Sequence, residues 1–566
     1  MTLNLHDKII HIVGIKNFLI NEKEKTPYTT GWRTKSGECE FVVLPNSLFN
    51  MWRVLKLCVE NNKYILMQAA NTSLTGGSTP NGKYDKGLVI INTTKLKTII
   101  PIKNGKQVLA FPGSTLYDLE KKIKPYNRAP HSEIGSSCIG ASVVGGVCNN
   151  SGGALIKRGP AYTELSLFAS VSSNGKLELK NKLGVDLGKY PEEILKNLDT
   201  HNFNEENIKN SNFKASSTDY KNIIKDTNAN SPARYNADKR RLYDASGCSG
   251  KLAVFAVRLD TFEKENEERT FYYSTNNPED LTILRKNIII EVDELPIYAE
   301  YMHKDAYEVS KKFGKDAFYL IYYLGTSTMP FFYRTKSNLE SFFEKSKFFS
   351  HRSLDFLLNA IVSILPNQMP KKFDKLNKKF KHHLILKCDQ KIFNEILKIS
   401  KNVFNRNKEN NFLICSPKES KKLTLNRYVF AGASARCANL SKYANSELLP
   451  LDVALKRNDD NWFHDISMDS KKDILKTLTV AHFFCLVFHR EYVVKKGKDN
   501  NKVKKKLLDW FDKIGAKYPA EHNVGHVYKA DNNLKKFYKK LDPNNIFNPG
   551  IGKTSKCLEK KTNELV

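Results

Sequence analysis

The sequence predicts an α+β fold with more than one domain, on three observations. Short apolar runs of strand length, Phe41-Val42-Val43-Leu44, Tyr64-Ile65-Leu66-Met67 and Leu88-Val89-Ile90-Ile91, are separated by glycine-rich turns and one helical stretch near Leu48 to Asn61. From about Phe271 the pattern shifts to longer helical periodicities with fewer glycines, which predicts a second domain. From Tyr518 to about Lys556 the turn punctuation returns, with Asp542-Pro543 and Asn548-Pro549-Gly550, and this stretch is expected to rejoin the first domain. Between these parts, Lys251 to Leu259 reads as the strand that closes the first unit. Tyr190 to Ser231, rich in Asn, Lys, Ser and Asp, reads as a solvated excursion.

Composition narrows the class. The 566 residues carry 91 Lys and Arg against 60 Asp and Glu, a net charge of +31, and 40% are hydrophobic. That much apolar material can bury real cores and excludes a disordered or collagen-like chain. The surplus attracts an anionic partner, which is a nucleic acid, an anionic membrane face or an acidic substrate, although abundant Lys and Asn also make part of it background composition. Ten scattered cysteines with no CxxC pair predict free thiols in a reducing compartment. His6, Asp7, Lys8, His11 and Lys16 interrupt the apolar residues of the first stretch, so no signal-peptide core forms and a cytosolic chain is expected. The longest apolar runs, around Leu354 to Leu365 and Leu478 to Phe488, fall short of the roughly 18 residues of a membrane span, so any membrane contact is expected to be peripheral.

Two loops carry the strongest local signal. Gln68-Ala69-Ala70-Asn71-Thr72-Ser73-Leu74-Thr75-Gly76-Gly77-Ser78-Thr79-Pro80 follows a strand, and its small residues let backbone N–H groups close on phosphate oxygens. Pro130 to Gly153, with Ile134-Gly135-Ser136-Ser137-Cys138-Ile139-Gly140-Ala141-Ser142 at its centre, is a second stretch with little bulk. Either loop alone reads as a tight turn; the two together point to a dinucleotide cofactor. Neither fits the GxGxxG or GxxxxGK[ST] spacing, which disfavours a Rossmann or P-loop site.

These loops resemble the FAD-binding domain of the vanillyl-alcohol-oxidase type, in which the pyrophosphate lies between two such segments. The wording of the chain further resembles the quinone-dependent D-lactate dehydrogenase family. The likeness is carried by Leu66 to Thr72, Ile134 to Ser142, Arg158-Gly159-Pro160-Ala161-Tyr162-Thr163-Glu164, Pro232-Ala233-Arg234-Tyr235-Asn236-Ala237-Asp238, Gly250 to Asp260 and Pro519-Ala520-Glu521-His522-Asn523-Val524-Gly525-His526. The resemblance implies a two-subdomain FAD-binding domain with an α+β substrate cap domain and a basic membrane-contacting segment. Its expected bounds are 1–268 for the FAD-binding domain, 269–330 and 382–517 for the cap, 331–381 for the basic segment and 518–566 for the C-terminal return. It implies FAD contacts at Ala69, Ala70, Asn71, Thr72, Ser73, Gly77, Ser78, Gly135, Ser142, Gly152 and Val254, acting mainly through backbone. The first loop contains no histidine for covalent attachment, so non-covalent FAD is expected. The implied activity is oxidation of D-lactate to pyruvate with electrons passing to a membrane quinone. A dehydrogenase of another D-2-hydroxy acid, such as glycolate or 2-hydroxyglutarate, is the alternative within the enzyme class. A non-catalytic basic module that binds nucleic acid or lipid is the alternative outside it.

Oxidising a 2-hydroxy acid needs a hydride acceptor, a base for the hydroxyl proton and a carboxylate anchor. His522 is the candidate base, since an imidazole titrates near working pH and its segment resembles the Glu-His-Gly signature of related flavin dehydrogenases, with Asn523 in place of the glycine. His482 and His489, in an H-x6-H spacing, would lie two turns apart on a helix or on opposite faces of a strand. By resemblance to metal-dependent relatives, His482, His489 and Glu521 form a possible divalent-metal site; the alternative is a buried structural pair. Arg457 and its neighbour Lys456 are candidate carboxylate anchors, as is Arg436, against the alternative of a solvated surface pair. His382-His383 sits in a strand-like context and is expected in the core.

The charge is densest from Arg334 to Lys381, where eleven basic residues face four acidic ones and aromatic pairs such as Phe342-Phe343 and Phe348-Phe349 are interleaved. Basic heads beside large apolar groups suit an anionic lipid surface, and the resembling family has its membrane-contacting region here. No RNA- or DNA-binding motif is present, so no nucleic acid is expected as partner. The expected location is peripheral, on the cytoplasmic face of the cell inner membrane.

Overall fold

The structure is a computed structural model that describes residues 4–31, 36–132, 140–209, 212–265, 267–329, 353–404, 409–441, 448–464 and 468–557, with 332, 335 and 339. Gly135 and the basic residues Arg334, Lys336, Lys345, Lys347 and Arg352 lie outside the described residues.

The first unit contains two sheets. In one, Phe41–Val43, Leu88–Asn92 and Tyr64–Gln68 run parallel, with the short strand Phe18–Leu19 antiparallel at the edge. Strands covered on both faces read as near-continuous apolar runs, as these do up to the terminal Gln68 and Asn92. The helix Leu48–Glu60 makes the crossover from Phe41–Val43 to Tyr64–Gln68. Ser47 caps it by accepting from the Asn50 N–H, and Leu48, Met51, Trp52, Leu55 and Cys58 form its buried face. The second sheet is antiparallel, in the order Ile99–Ile102, Gln107–Ala110, Ala253–Asp260, Ser166–Val171 and Leu177–Asn181. The closing strand expected over Lys251 to Leu259 is therefore the centre of a sheet. Tyr190 to Ser231 departs from expectation. It contains the helices Pro191–Asp199 and Tyr220–Lys225, which bury Ile194, Leu195, Leu198, Tyr220 and Ile224 in the cores. Five apolar residues at helical spacing outweigh the polar composition around them.

The second unit also differs from its helical reading, because its frame is a seven-stranded antiparallel sheet. The order is Asn410–Cys415, Glu268–Thr275, His382–Asp389, Tyr298–His303, Ile474–His482, Val487–Val494 and Leu449–Ala454. Alternation assigns its faces: Phe271, Tyr273, Leu384, Leu386 and Tyr301 enter one core, while Tyr272, Ile385, Met302, Val480 and Val493 enter the other. Helices cover both faces, which produced the helical signal. Among the described residues no helix is long and apolar enough to cross a membrane.

The chain end returns to the first unit. Ile65 N–H donates to Ile546 O at 3.0 Å, and Asn548 N–H donates to Ile65 O at 2.9 Å. Beneath this seam Lys251 is buried, with its ammonium donating to Asn545 and to Phe547 O at 2.6 and 2.7 Å and lying 3.4 Å from Asp542. An uncompensated charge left in such a place costs about 3–5 kcal/mol. Lys251→Met is therefore expected to lower unfolding free energy by about 3 kcal/mol or more in a denaturant titration; an unchanged midpoint would show that this clamp does not hold the C-terminal return.

Candidate active site

A cleft opens at the meeting of the two loops, the second sheet and the returning chain. Ala69, Ala70, Asn71, Thr72, Ser73, Gly77 and Ser78 line it from the first loop, Ser142 from the second and Val254 from the closing strand. Gly152 does not line it. A Cβ there would meet Glu521 and Arg234, so its bareness serves the cluster behind the cleft. Side-chain bonds hold the first loop in shape: Asn71 takes φ +53° and accepts from Ser78 and Thr79, and Ser73 accepts from the Gly77 N–H at 3.1 Å. A Cβ at Gly77 would overlap the Asn523 side chain, so only glycine closes the cradle. A loop of small residues along the cleft wall fits the diphosphate of a dinucleotide.

Asn523, which stands where the resembling signature has glycine, ties the parts together. Its carbonyl and side-chain oxygens accept from the Thr75 hydroxyl at 2.9 and 3.0 Å, and its amide donates to Asn149 at 2.6 Å. First loop, second loop and the His522 segment are thus bonded through one side chain. His522 itself lines the cleft, next to Asn523.

The chemistry-bearing groups come from one face of the seven-stranded sheet. Glu300 and His482 are directly opposite each other on neighbouring strands, as are His489 and Asp452. Cross-strand neighbours on one face lie within side-chain reach, and here they bond. His482 Nδ1 is 2.6 Å from Glu300 Oε1, and His489 Nδ1 is 2.6 Å from Asp452 Oδ1. The other Asp452 oxygen is 2.6 Å from His522 Nε2. Glu521 enters between them, with Oε2 3.3 Å from His482 Nε2 and Oε1 2.6 Å from Arg234 Nη2. Arg427, from the helix Pro417–Tyr428, reaches Glu300 at 2.9 Å.

His482 and His489 therefore lie on neither a helix nor a single strand. They flank a hairpin whose turn is Phe483–Cys485, and their rings sit 5.0 Å apart. One ligand atom from each of His482, His489 and Glu521 falls within 4.8 Å of the others. Carboxylates hold both Nδ1 atoms, an arrangement that orients Nε2 for a metal and raises its basicity. Burial alone would push the Glu521 carboxyl up, but Arg234 and then His482 outweigh it and hold it well below the usual range. Asp452 is held low against burial by His489 and His522, and Glu300 by His482 and Arg427. Burial would lower His482, yet Glu300 and Glu521 raise it to about 9. Three carboxylates against two arginines leave a negative surplus that favours a proton or a dication on the imidazoles.

Arg457 is corrected. It is buried and absent from the cleft lining, and its guanidinium is engaged by Ser231 O at 3.1 Å, Ser231 Oγ at 2.9 Å and Ile223 O at 2.6 Å. It pins the segment after a strand to the excursion and leaves no fork for a carboxylate. Arg436 is likewise held by Asp316 at 2.6 and 3.0 Å. His382 and His383 begin a buried strand, and burial pushes both imidazoles down to about 3. Glu300, Asp452, Arg234 and Arg427 were missed. The available signal was a carboxylate inside an otherwise apolar strand, Tyr298-Ala299-Glu300-Tyr301 and Leu451-Asp452-Val453, which has to meet a cation when buried.

A family model described as D-lactate dehydrogenase, membrane binding, matches residues 270–560, and one described as FAD binding domain matches residues 39–177. The chain is 46% identical over 97% of its length to the quinone-dependent D-lactate dehydrogenase of Escherichia coli, covering 96% of that protein. It is 43% identical to the protein of the same name from Haemophilus influenzae, with 98% of both chains covered. Among solved structures it is similar to p-cresol methylhydroxylase with substrate bound (TM-score 0.57, 13% identity, 97% of this chain and 96% of that chain). It is also similar to alkyldihydroxyacetonephosphate synthase (TM-score 0.54, 12% identity, 94% and 82% covered). The fold is the FAD-binding fold of the vanillyl-alcohol-oxidase type, the cofactor is FAD, and the chain belongs to the quinone-dependent D-lactate dehydrogenase family.

Proposed function

We propose that this protein oxidises D-lactate to pyruvate and passes the two electrons to a membrane quinone. The observation that carries the reading is His522, a histidine on the wall of the FAD cleft whose Nε2 is fixed by the half-buried carboxylate of Asp452. Bound FAD would supply the hydride acceptor and the route by which the two electrons reach the quinone. Asp452, accepting from Nε2, selects the imidazole tautomer with its lone pair on Nδ1 and stabilises the imidazolium once a proton arrives. His522 then takes the C2 hydroxyl proton as the hydride leaves C2. His489 shares Asp452 from the other side, so the carboxylate keeps its orientation through the transfer. The names of the relatives at 46% and 43% identity support D-lactate and quinone as the partners.

His482, His489 and Glu521 would hold a divalent metal, which would supply a Lewis acid for the substrate hydroxyl. Arg234, buried behind Gly152 and bonded to Gly153 O at 2.5 Å, holds Glu521 in place for that role.

Membrane attachment is proposed at the cytoplasmic face, on anionic lipid. The helix Lys371–Lys379 supports it: Lys371, Lys372, Lys375, Lys378 and Lys379 are exposed while Phe373 and Asn377 are buried beneath them. Tyr323, Leu324, Phe356, Leu357 and Ile364 are exposed apolar side chains in the same part of the sequence. Lysine near an anionic surface contributes about 1 kcal/mol.

Three outcomes are expected. His522→Ala retains FAD but slows flavin reduction by D-lactate by about 10²–10⁴-fold in anaerobic stopped flow; a wild-type rate would remove His522 as base. Metal analysis of the purified enzyme finds a divalent ion that is lost in Glu521→Gln together with D-lactate-driven flavin reduction, whereas a fully active metal-free enzyme would leave the cluster purely structural. Replacing the five exposed lysines with Ala weakens binding to anionic vesicles by about 1 kcal/mol per residue while neutral vesicles show no change; equal binding by both proteins would place the contact elsewhere.

A further inference from the structure

The carboxylate of a 2-hydroxy acid is ionised at neutral pH, and it leaves water only for a fixed cation. The wall of the FAD cleft supplies none: no lysine or arginine lines it, and His522 is its one contribution from the catalytic cluster. The anchor has to stand beside that cluster. Three of the arginines near it are committed elsewhere. Arg457 is held by Ile223 and Ser231, Arg436 by Asp316, and Arg234, only 2% exposed, by Glu521 and Gly153 O.

Arg427 differs from all three. Its Nε lies 2.9 Å from Glu300 Oε2, and the other oxygen of Glu300 is 2.6 Å from His482 Nδ1, so a single carboxylate separates this guanidinium from a histidine of the cluster. The side chain is 14% exposed. Nε is sealed from solvent, whereas Nη1 and Nη2 have no partner among the described residues and stay reachable.

The backbone behind it is well held. The helix Pro417–Tyr428 starts in a capping box made by Ser416 and Glu419. It then lies along one face of the strand Tyr298–His303 through three residues. The Thr424 hydroxyl is 2.6 Å from the Tyr298 hydroxyl, Asn426 Nδ2 is 3.8 Å from Met302 Sδ, and Arg427 meets Glu300 between them. With Nε fixed by Glu300, the Nη1 and Nη2 edge is left as a planar fork, which matches the two oxygens of a carboxylate.

We propose that Arg427 anchors the substrate, binding the carboxylate of the 2-hydroxy acid through Nη1 and Nη2 while Glu300 holds its Nε. Carboxylate and hydroxyl occupy adjacent carbons of such an acid, so their partners have to be near neighbours in the protein. Arg427 meets that condition, because Glu300 joins it directly to His482, and His482 is within one contact of Glu521. The fork also selects: an acid gains two charge-assisted hydrogen bonds that its neutral amide does not.

The inference rests on the proposed oxidation of D-lactate, and the test keeps the two apart. Flavin reduction is followed by anaerobic stopped flow in wild-type holoenzyme, Arg427→Lys and Arg427→Gln, each with D-lactate and with D-lactamide, its uncharged amide. The half-saturating D-lactate concentration is expected to rise by about 10-fold to 100-fold in both variants, with a smaller change in the limiting rate. Arg427→Lys keeps a cation beside Glu300, so its rise reports the lost fork rather than a disturbed fold. Wild type and Arg427→Lys are expected to respond alike to D-lactamide. A limiting rate that falls while half-saturation stays the same would overturn the proposal and leave Arg427 acting only through Glu300 on His482. Equal losses with lactate and lactamide would overturn it too. Wild-type flavin that D-lactate leaves oxidised would instead overturn the proposed reaction.

Discussion

A carboxylate removed from water stays ionised only where cations or N–H donors meet it, and this requirement organises the catalytic end of the molecule. Glu300 and Glu521 are buried and Asp452 half-buried, and each is answered: Glu300 by His482 and Arg427, Asp452 by His489 and His522, Glu521 by Arg234 and His482. Because these partners come from four strands, a helix, the segment of Arg234 just before the strand Ala253–Asp260 and the returning chain, one electrostatic network binds the second unit to the first. Removing any single partner leaves a buried charge exposed to the low dielectric of the interior, so the network behaves as a unit.

The same network explains how distant segments arrive at one place. The sheet register sets Glu300 opposite His482 and His489 opposite Asp452. The loop after Pro519 delivers Glu521 into that row and leaves His522 facing the cleft, with Asn523 bonded to both cofactor loops. His522 and the contacts to the cofactor cradle are therefore held by neighbouring residues on one short stretch, which ties the distance between them to backbone geometry rather than to the flexibility of long side chains.

Much of this could be read from the sequence where a local signal existed. The strands Phe41–Val43, Tyr64–Gln68 and Leu88–Asn92 announce themselves as apolar runs, and the two small-residue loops announce a diphosphate cradle. His482, His489 and Glu521 were found through motif likeness, although the hairpin joining the histidines was not foreseen because periodicity alone cannot show a turn inside Phe483-Phe484-Cys485. Glu300 and Asp452 remained hidden, since their meaning depends on register between strands far apart in sequence, and Arg234 and Arg427 because a loop and a helix bring them to those carboxylates from elsewhere in the chain. Arg457 misled for the complementary reason: an arginine in a polar segment looks available until the carbonyls of Ile223 and Ser231 fold onto it. The excursion at Tyr190 to Ser231 shows how polar composition masks a short amphipathic helix such as Pro191–Asp199.

The central claim is that the FAD cleft and the His522–Asp452 pair form one site for the D enantiomer of a 2-hydroxy acid. An anaerobic visible absorbance titration of the purified holoenzyme with D-lactate and, separately, L-lactate tests it most directly. The account predicts bleaching of the oxidised flavin band by D-lactate alone; a flavin that stays oxidised with D-lactate, or that bleaches equally with L-lactate, would contradict it.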